Sequence, residues 1–546
     1  MDHEKAVPLD EKAVHAPAMS VGEQPAEWRE QEDFMTRNGL NLKSFQRRPQ
    51  SGPMVVLDKS MKTRHLHMIA IGGSIGAGFF VGSGGAFNKG GPASVLIDFS
   101  LMGIMIFNVV YALGELAVMY PVSGGFYTYS TRFIDPSWGF AMGWNYVFQW
   151  AIVLPLELNV AAITVHYWPG AQGTSVAVFM TVFWVFIIVI NLFGTLEFWS
   201  SCLKLAATVI FMIIALILVC GGGPSNGLNG FKGFCTVFVT AAFSFSGTEL
   251  VGLAAAETAN PLKSLPGAIR QVFWRVTLFY ILGLTFVGLL VRSDDERLLG
   301  ATGGGSNTSP FVIAAKDAGL IGFDSFMNVV ILVSVVSIGV SGIYGGSRTL
   351  TALADQGYAP KIFTYIDRSG RPLWSVIFVL AWGALCYMNL AATGVTIFNW
   401  FVALSGLAAL FTWGSICLAH IRFRKAWAYH GHTLDEIPFR AAGGVYGSWV
   451  GLFIIIIVLI AQFYTAISPI GTRVGTASDF FSAYLAVFVV AAFWVAGYFW
   501  KREGWLRTAQ MDVDTGRREL DWDLINKERE EIKSWPAWKR TLNRMF

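Results

Sequence analysis

Charge is scarce in this chain. Only 14% of its 546 residues are Asp, Glu, Lys or Arg, against about 25% in an ordinary soluble domain. Hydrophobic residues make up 54%, and the mean hydropathy is +0.51. That shortage excludes a soluble globular domain and points to a polytopic membrane protein. The formal net charge of +4 is small for the length, and no basic block suggests a nucleic-acid surface. Cysteine is also sparse. Cys202, Cys220, Cys235, Cys386 and Cys417 are odd in number and sit in or beside apolar stretches. A disulfide framework is therefore not expected, and no CxxC spacing offers a metal site. No HExxH motif occurs, and His166 and His420 lie at the ends of apolar stretches, away from any nucleophile. These gaps disfavour an intramembrane enzyme, and no catalytic residue, metal or cofactor is expected. No ring of charge or repeated filter sequence suggests a channel.

The N-terminal segment also lacks something. Up to about Lys62 it is polar and contains proline, with no basic n-region and no apolar h-region. The first membrane span is then expected to act as its own insertion signal. The C-terminal NRMF is not a prenylation box.

What is present is a series of long apolar stretches. Twelve of them approach the ~20 residues needed to cross hydrocarbon. They lie at 66–87, 93–118, 138–166, 175–194, 200–221, 235–257, 273–292, 323–347, 373–392, 396–419, 447–468 and 480–500. An even count places both tails on one side. Loops on the tail side carry twelve Lys and Arg, and loops on the other side carry six. By the positive-inside rule both termini are expected in the cytoplasm. The tail-side segments 121–136 and 260–275 mix basic and apolar residues and read either as interfacial helices or as solvated connections. The opposite-side stretch 293–320 reads as a glycine-rich loop, acidic at Asp294, Asp295 and Glu296, with a sequon at Asn307 weakened by Pro310.

Two stretches are interrupted by glycine. They are IGGSIGAGFFVGSG at 71–84 in span one and FSFSGTELVGLAAAE at 243–257 in span six. Each opens a set of spans, so the two stand at corresponding places. Unwound backbone at membrane depth is tolerated only where it lines a cavity or binds something. Paired interruptions of this kind mark a transporter's binding site. The competing reading is close helix packing through small residues. Packing explains Gly82 and Gly84 well, and explains Gly72, Gly73, Gly76 and Gly78 poorly.

Ionisable residues inside apolar stretches form the second signal, because a charge at mid-membrane costs about 2.5–3.5 kcal/mol on insertion scales. They are Asp98, Glu115, Glu157, Lys204, Glu249 and Glu257. Lys204 has no acid near it in sequence and lies a few residues into span five. It can titrate there, or it can snorkel to the surface. Glu249 can face a cavity, pair with Lys204, bind substrate or cap unwound backbone. Glu157 can contact substrate or span eight. Glu115 and Glu257 stand near span ends, as gate or loop anchors. Trp400 and Trp413 in span ten read by default as core or interfacial rings.

Several segments together carry a resemblance over residues 60–546. Besides 71–84 they include ALGELAVMYPVSGGFYTYSTRFIDPSWGFAMGWNY at 112–146, WAIVLPLEL at 150–158 and FSGTELVGLAAAETANP at 245–261. SRTLTALADQGYAPKIF at 347–363, HIRFR at 420–424 and MDVDTGRRELD at 511–521 complete the set. The chain resembles the fungal amino acid permeases of the amino acid–polyamine–organocation superfamily, and the PLEL segment and the tail resemble the general, broad-specificity subgroup.

The resemblance implies an all-α membrane fold of twelve transmembrane helices with broken helices one and six. It implies two inverted five-helix repeats, 66–221 and 235–419, then peripheral helices at 447–500, between cytoplasmic tails 1–65 and 501–546. It implies proton-coupled uptake of L-amino acids at the fungal plasma membrane. The alternatives are a narrow-specificity permease and a non-transporting amino acid receptor on the same fold. Such receptors resemble permeases with a much longer N-terminal extension than the ~60 residues before span one here.

An amino acid brings a carboxylate and an ammonium. Free N–H groups of Gly73, Ser74, Ile75, Gly76, Ala77 and Gly78 at a half-helix N-terminus would hold the carboxylate. Carbonyls of Phe243, Ser244, Phe245, Ser246 and Gly247 would accept from the ammonium, with Glu157 as a further contact. By resemblance, Phe245 would be an aromatic lid and Lys204 the span-five lysine of proton-coupled relatives, with Glu249 as a second proton carrier. Lysines of the N-terminal tail, Lys5, Lys12 and Lys43, would accept ubiquitin from a ligase partner. Ser341 and Asp98 depart from the pattern of the broad permeases.

Overall fold

The computed structural model describes residues 33–37, 41–48, 75–122, 124–193, 197–219, 230–254, 261–298, 309–320, 322–390, 394–472, 474–517, 530–531, 534–536 and 538. Regular structure among these residues is helical, and one isolated bridge, Arg47 with Asp367, belongs to no strand. The chain is an all-α polytopic membrane protein. In lipid, a helix satisfies its own backbone, and these sequences are apolar enough to stay there.

Eight helices are long and apolar enough to cross a membrane, and three shorter apolar helices lie at Val176–Leu192, Ser200–Ala215 and Leu278–Leu290. The longest of the eight, Gly78–Met119, holds two spans. Gly91 inside it takes φ 75° and ψ 171°, and Pro92 follows. The chain passes there from span one to span two. Each of the twelve apolar stretches thus has its helix. Hydropathy placed some ends badly. Span eight runs over Phe323–Asp355 and span ten over Gly394–Tyr429, well past their apolar stretches. Helical hydrogen bonding continues into polar sequence, whereas hydropathy registers only where hydrocarbon ends. The stretch 66–74, Glu257, Cys220 and the Asn307 sequon lie outside the described residues.

Burial sorts the spans. The apolar windows of spans six, three and eight are 94%, 89% and 78% buried, against 33% for span eleven and 17% for span twelve. The first three are the centre of the bundle and the last two its edge. Exposed rings and aliphatics such as Phe453, Ile460 and Phe499 lie on that edge, where lipid is as apolar as they are. Span eight packs along span three, and span two along the first half of span six. Trp150 of span three seats against Gly342 of span eight, where a Cβ would fall 2.6 Å from the indole.

The stretch 293–320 is more than a loop. It holds the helix Pro310–Asp317, capped by Ser309, with Phe311, Val312 and Ile313 buried. Ser at the cap followed by Pro at the first helical position is a legible start signal. Ser309 Oγ donates to Phe80 O at 2.5 Å, which ties this helix to span one.

On the tail side, segment 260–275 is the helix Pro261–Arg275, burying Leu265, Ala268, Ile269 and Val272 at helical spacing. Segment 121–136 contains the helix Phe126–Phe133. Its Phe126, Tyr127, Tyr129 and Phe133 are buried within the protein, so it is neither a solvated connection nor a surface helix. The segment after span twelve docks on it. Leu506 N donates to Ile134 O (3.0 Å), Tyr120 Oη to Val513 O (2.6 Å) and Arg132 Nη2 to Thr515 O (2.6 Å). Arg422 donates to both Phe133 O and Leu506 O. Glu115 anchors the same side: its Oε1 meets Arg424 Nε at 2.5 Å and His420 Nε2 at 3.0 Å, and its Oε2 accepts from Ala441 N at 2.7 Å.

Candidate functional site

The break in span six is explicit. The helix Gly230–Phe245 stops, residues 246–249 form a turn, and helix resumes at Leu250–Ala254. Gly247 sits at φ 95°, a conformation that side chains disfavour. Glu249 stabilises the unwound turn. Its Oε1 accepts from Gly247 N at 3.3 Å, and its Oε2 accepts from Trp413 Nε1 at 3.1 Å. Of the four roles open to Glu249 in the sequence, its bonds match the capping of freed backbone. Trp413 is a core ring with a defined task.

The carbonyls of the break are partly occupied. Phe243 O accepts from Ser246 N (3.1 Å), Ser244 O from Tyr280 Oη (2.7 Å), Phe245 O from Thr248 Oγ1 (2.6 Å) and Gly247 O from Leu250 N (3.2 Å). Phe245 O also accepts from Thr248 N (3.3 Å), whereas the carbonyls of Phe243, Ser244 and Gly247 each keep a second lone pair for a ligand.

In span one, Gly73 and Ser74 lie outside the described residues. Ile75 and Gly76 are non-helical, helix begins at Ala77, and Gly78–Gly82 forms a widened turn. Ile75 and Ala77 are buried, and Phe80 N donates to Gly76 O at 3.0 Å. Turns of this wide type are frequent at functional sites.

Residues of span one and of the span-six break meet across a narrow cavity. Gly78, Trp150, Val153, Glu157, Phe243, Ser246 and Ile338 line it. Glu157 is 1% exposed, and neither carboxylate oxygen has a hydrogen bond among the described residues. It lies beside the Ala77 backbone amide and within the field of Lys204. Lys204 is fully buried, so it does not snorkel to the surface. Gln149 Nε2 donates to Ser246 Oγ at 2.7 Å and ties span three to the break.

The lining thus brings together Gly78, Glu157, Phe243 and Ser246 from the expected set. Ser244 and Gly247 are beside it in the chain. Phe245 is not among the lining residues and stacks on Tyr280 at 4.3 Å, near Phe99 at 5.9 Å; the ring on the wall is Phe243. Trp150, Val153 and Ile338 come from outside the expected set. Residues 150, 153 and 157 share one helical face, so Glu157 carried a signal for the first two. Ile338 had none. Ser341 is buried in span eight and is not among the lining residues. Among the described residues no three His, Cys, Asp or Glu side chains cluster in a way that would hold a metal ion.

The chain is similar in sequence to known proteins over most of its length. The family model described as amino acid permease matches residues 65–510. The chain is 65% identical to amino-acid permease inda1 of Hypocrea atroviridis, over 94% of each chain. It is 50% identical to general amino-acid permease GAP2 of Candida albicans, covering 89% of this chain and 87% of that one. It is 48% identical to general amino-acid permease GAP1 of Saccharomyces cerevisiae, covering 89% and 85%. A solved structure of a mutant manganese transporter from Eremococcus coleocola aligns with TM-score 0.49 at 11% identity, over 84% of this chain and 97% of that one.

Proposed function

The chain belongs to the amino acid permease family, and from that premise we propose that it is a proton-coupled importer of L-amino acids with broad side-chain tolerance. It is a multi-pass membrane transporter of amino acids rather than an enzyme. The observation that carries the finer reading is the cavity between the two breaks. Residues of span one and span six converge there with one carboxylate, Glu157, one hydroxyl, Ser246, and a largely apolar remainder.

Backbone amides at 73–78 hold the substrate carboxylate in this reading. The remaining lone pairs at 243–247 and the Glu157 carboxylate receive the ammonium. Val153, Phe243 and Ile338 meet the substrate side chain without selecting a charge, which supports broad tolerance. Lys204, buried and in the field of Glu157, exchanges a proton during the cycle, with Glu249 as a second carrier. The repeats are 66–221 and 235–419, inverted with respect to each other, with 447–500 peripheral. The chain works in the fungal plasma membrane with both tails in the cytoplasm, as the Lys and Arg distribution supports.

One experiment tests this directly. The chain is expressed in a permease-deficient yeast, and uptake of a labelled L-amino acid is measured against a chemically varied panel of competitors. Competition by many classes, and loss of accumulation with a protonophore, are expected. Competition by one class alone would overturn broad specificity. Accumulation that survives the protonophore would overturn proton coupling.

The N-terminal tail has its own test. Lys43 is exposed, and Lys5 and Lys12 lie outside the described residues. Replacing all three with Arg leaves uptake intact and slows removal from the surface if these lysines accept ubiquitin. Unchanged turnover would exclude that role.

A further inference from the structure

Four acids are buried in spans two, three and six, and one of them, Glu115, is paired with Arg424 and His420. Glu249 is held by Gly247 N and Trp413 Nε1. Glu157 faces the cavity and the field of Lys204. Asp98 has no such surroundings. It is 0% exposed, and neither of its oxygens has a hydrogen-bond partner among the described residues. It is also no part of the cavity lining.

Asp98 belongs to the buried stripe of span two, with Val95, Phe99 and Met102 each at 1% exposure or less. Across the contact with span six, the titratable group that senses it is the Cys235 thiol. The next residue, Phe99, stacks on Tyr280 of span seven at 6.2 Å, and the Tyr280 hydroxyl is committed to Ser244 O. No cation from any neighbouring span bears on Asp98 among the described residues. A charge at this point would be uncompensated, so the packing accommodates the neutral acid. Phe99 also lies 5.9 Å from Phe245, the last helical residue before the span-six break. One aromatic contact therefore separates Asp98's backbone from the span-six break.

We propose that Asp98 is a proton-binding site of the transport cycle. This rests on the proton-coupled reading above. Asp98 lies six residues beyond Pro92, about 9 Å of helical rise from the linker that joins spans one and two. The charge bias places that linker outside the cell. When the contact between spans two and six opens to that side, a proton from water joins one carboxylate oxygen. When it opens to the other side, the O–H bond breaks and the proton leaves to water. In the structure the acid is sealed from water. The substrate itself is not altered.

The test uses the full chain reconstituted in lipid vesicles, with Asp98→Asn as a permanently neutral isostere and Asp98→Glu as the conservative rescue. Substrate exchange between equal internal and external pools is expected within about two-fold of the parent for Asp98→Asn. Its accumulation under an inward proton gradient should fall about ten-fold and lose its dependence on external pH, and Asp98→Glu should restore both. If Asp98→Asn concentrates substrate with the parent's pH dependence, the proposal is wrong. If the parent itself accumulates equally with the proton gradient collapsed, proton coupling fails and this site with it. A second measurement does not need transport. The infrared difference between parent and Asp98→Asn at neutral pH should show the carbonyl band of a protonated carboxyl. Its absence would overturn the proposal even if the variant were inactive.

Discussion

Replacing Gly78 with Ala tests the closure of the two breaks on each other. A Cβ at Gly78 would stand 2.7 Å from Ser244 Cα, 2.7 Å from Ser244 Oγ and 3.0 Å from a Phe243 ring carbon. Ordinary contact begins near 3.4 Å, so the spans must part by several tenths of an ångström. Ser244 has little room to yield. Its hydroxyl donates to Thr240 O at 2.7 Å, and its carbonyl accepts from Tyr280 Oη at 2.7 Å. Forcing one methyl group into a packed contact costs about 1–3 kcal/mol. Applied to the closed state alone, that is roughly a 5- to 150-fold loss of its population. Gly76 is the internal control. A Cβ there would come closer still, 1.9 Å from Cδ1 and 2.9 Å from Cγ1 of Ile338, but these are side-chain atoms that can turn aside, whereas Gly78 meets the Ser244 backbone. Initial uptake rates, normalised to surface protein in a permease-deficient yeast, should therefore fall steeply for Gly78→Ala and only a few-fold for Gly76→Ala. Gly76→Val, with its second γ-carbon beside Ile338, should abolish uptake while leaving protein at the surface. Parent-like uptake by Gly78→Ala would refute the idea that the two breaks work in contact.

Other consequences are accessible to simpler assays. Lys204→Met keeps length and removes charge, so accumulation at acidic external pH should collapse while substrate-protected labelling persists; pH-driven accumulation in that variant would leave Lys204 a structural residue. Glu115→Ala strands Arg424 and His420 without their acid, and losing one partner of a buried ion group destabilises by about 3–5 kcal/mol. A lower thermal midpoint in detergent and reduced surface protein should follow, whereas an unchanged midpoint would contradict the anchoring role. Glu436, in the tail-side connection between spans ten and eleven, is held down to a pKa of about 2, chiefly by the Thr433 backbone N–H and further by His432 and the Thr433 hydroxyl. Because its folded value lies below the ordinary one, its contribution is complete above about 4.5 and disappears as pH falls through about 2. Exchange protection of the neighbouring docked segment 511–517 should therefore not change with this group across neutral pH, and should weaken only in strong acid. Arg132→Ala removes the donors to Asp512 O and Thr515 O and should expose that segment to protease; parent-like cleavage would show that the remaining contacts suffice.

Much of the architecture was legible because the membrane simplifies the code. An apolar stretch of about 20 residues must be a helix, so the twelve stretches located the spans even where their ends were misjudged. Glycine clustering located the span-six break and the non-helical residues before the described helix of span one, since backbone freed at membrane depth needs glycine and needs a purpose. The buried helix Pro310–Asp317 was missed although its Ser-Pro start was visible, because glycine and acid around it read as loop. The docking of 503–517 was also beyond reach. It depends on carbonyls of residues 133 and 134, and nothing in the sequence of either segment names the other.

Composition alone, then, determined that this chain lives in a bilayer, which stretches cross it and where two of them are interrupted. Those properties follow from transfer free energy and backbone hydrogen bonding, which act locally along the chain. Tertiary packing decided the rest. It placed Phe243 rather than Phe245 on the cavity wall and gave Glu249 to Trp413 and Gly247. It also buried Lys204 completely and left Asp98 sealed between spans two and six without a hydrogen-bond partner among the described residues. The rotation of each helix about its axis, and the neighbour it meets, depend on side-chain volumes contributed by residues hundreds of positions apart. No local pattern contains that information.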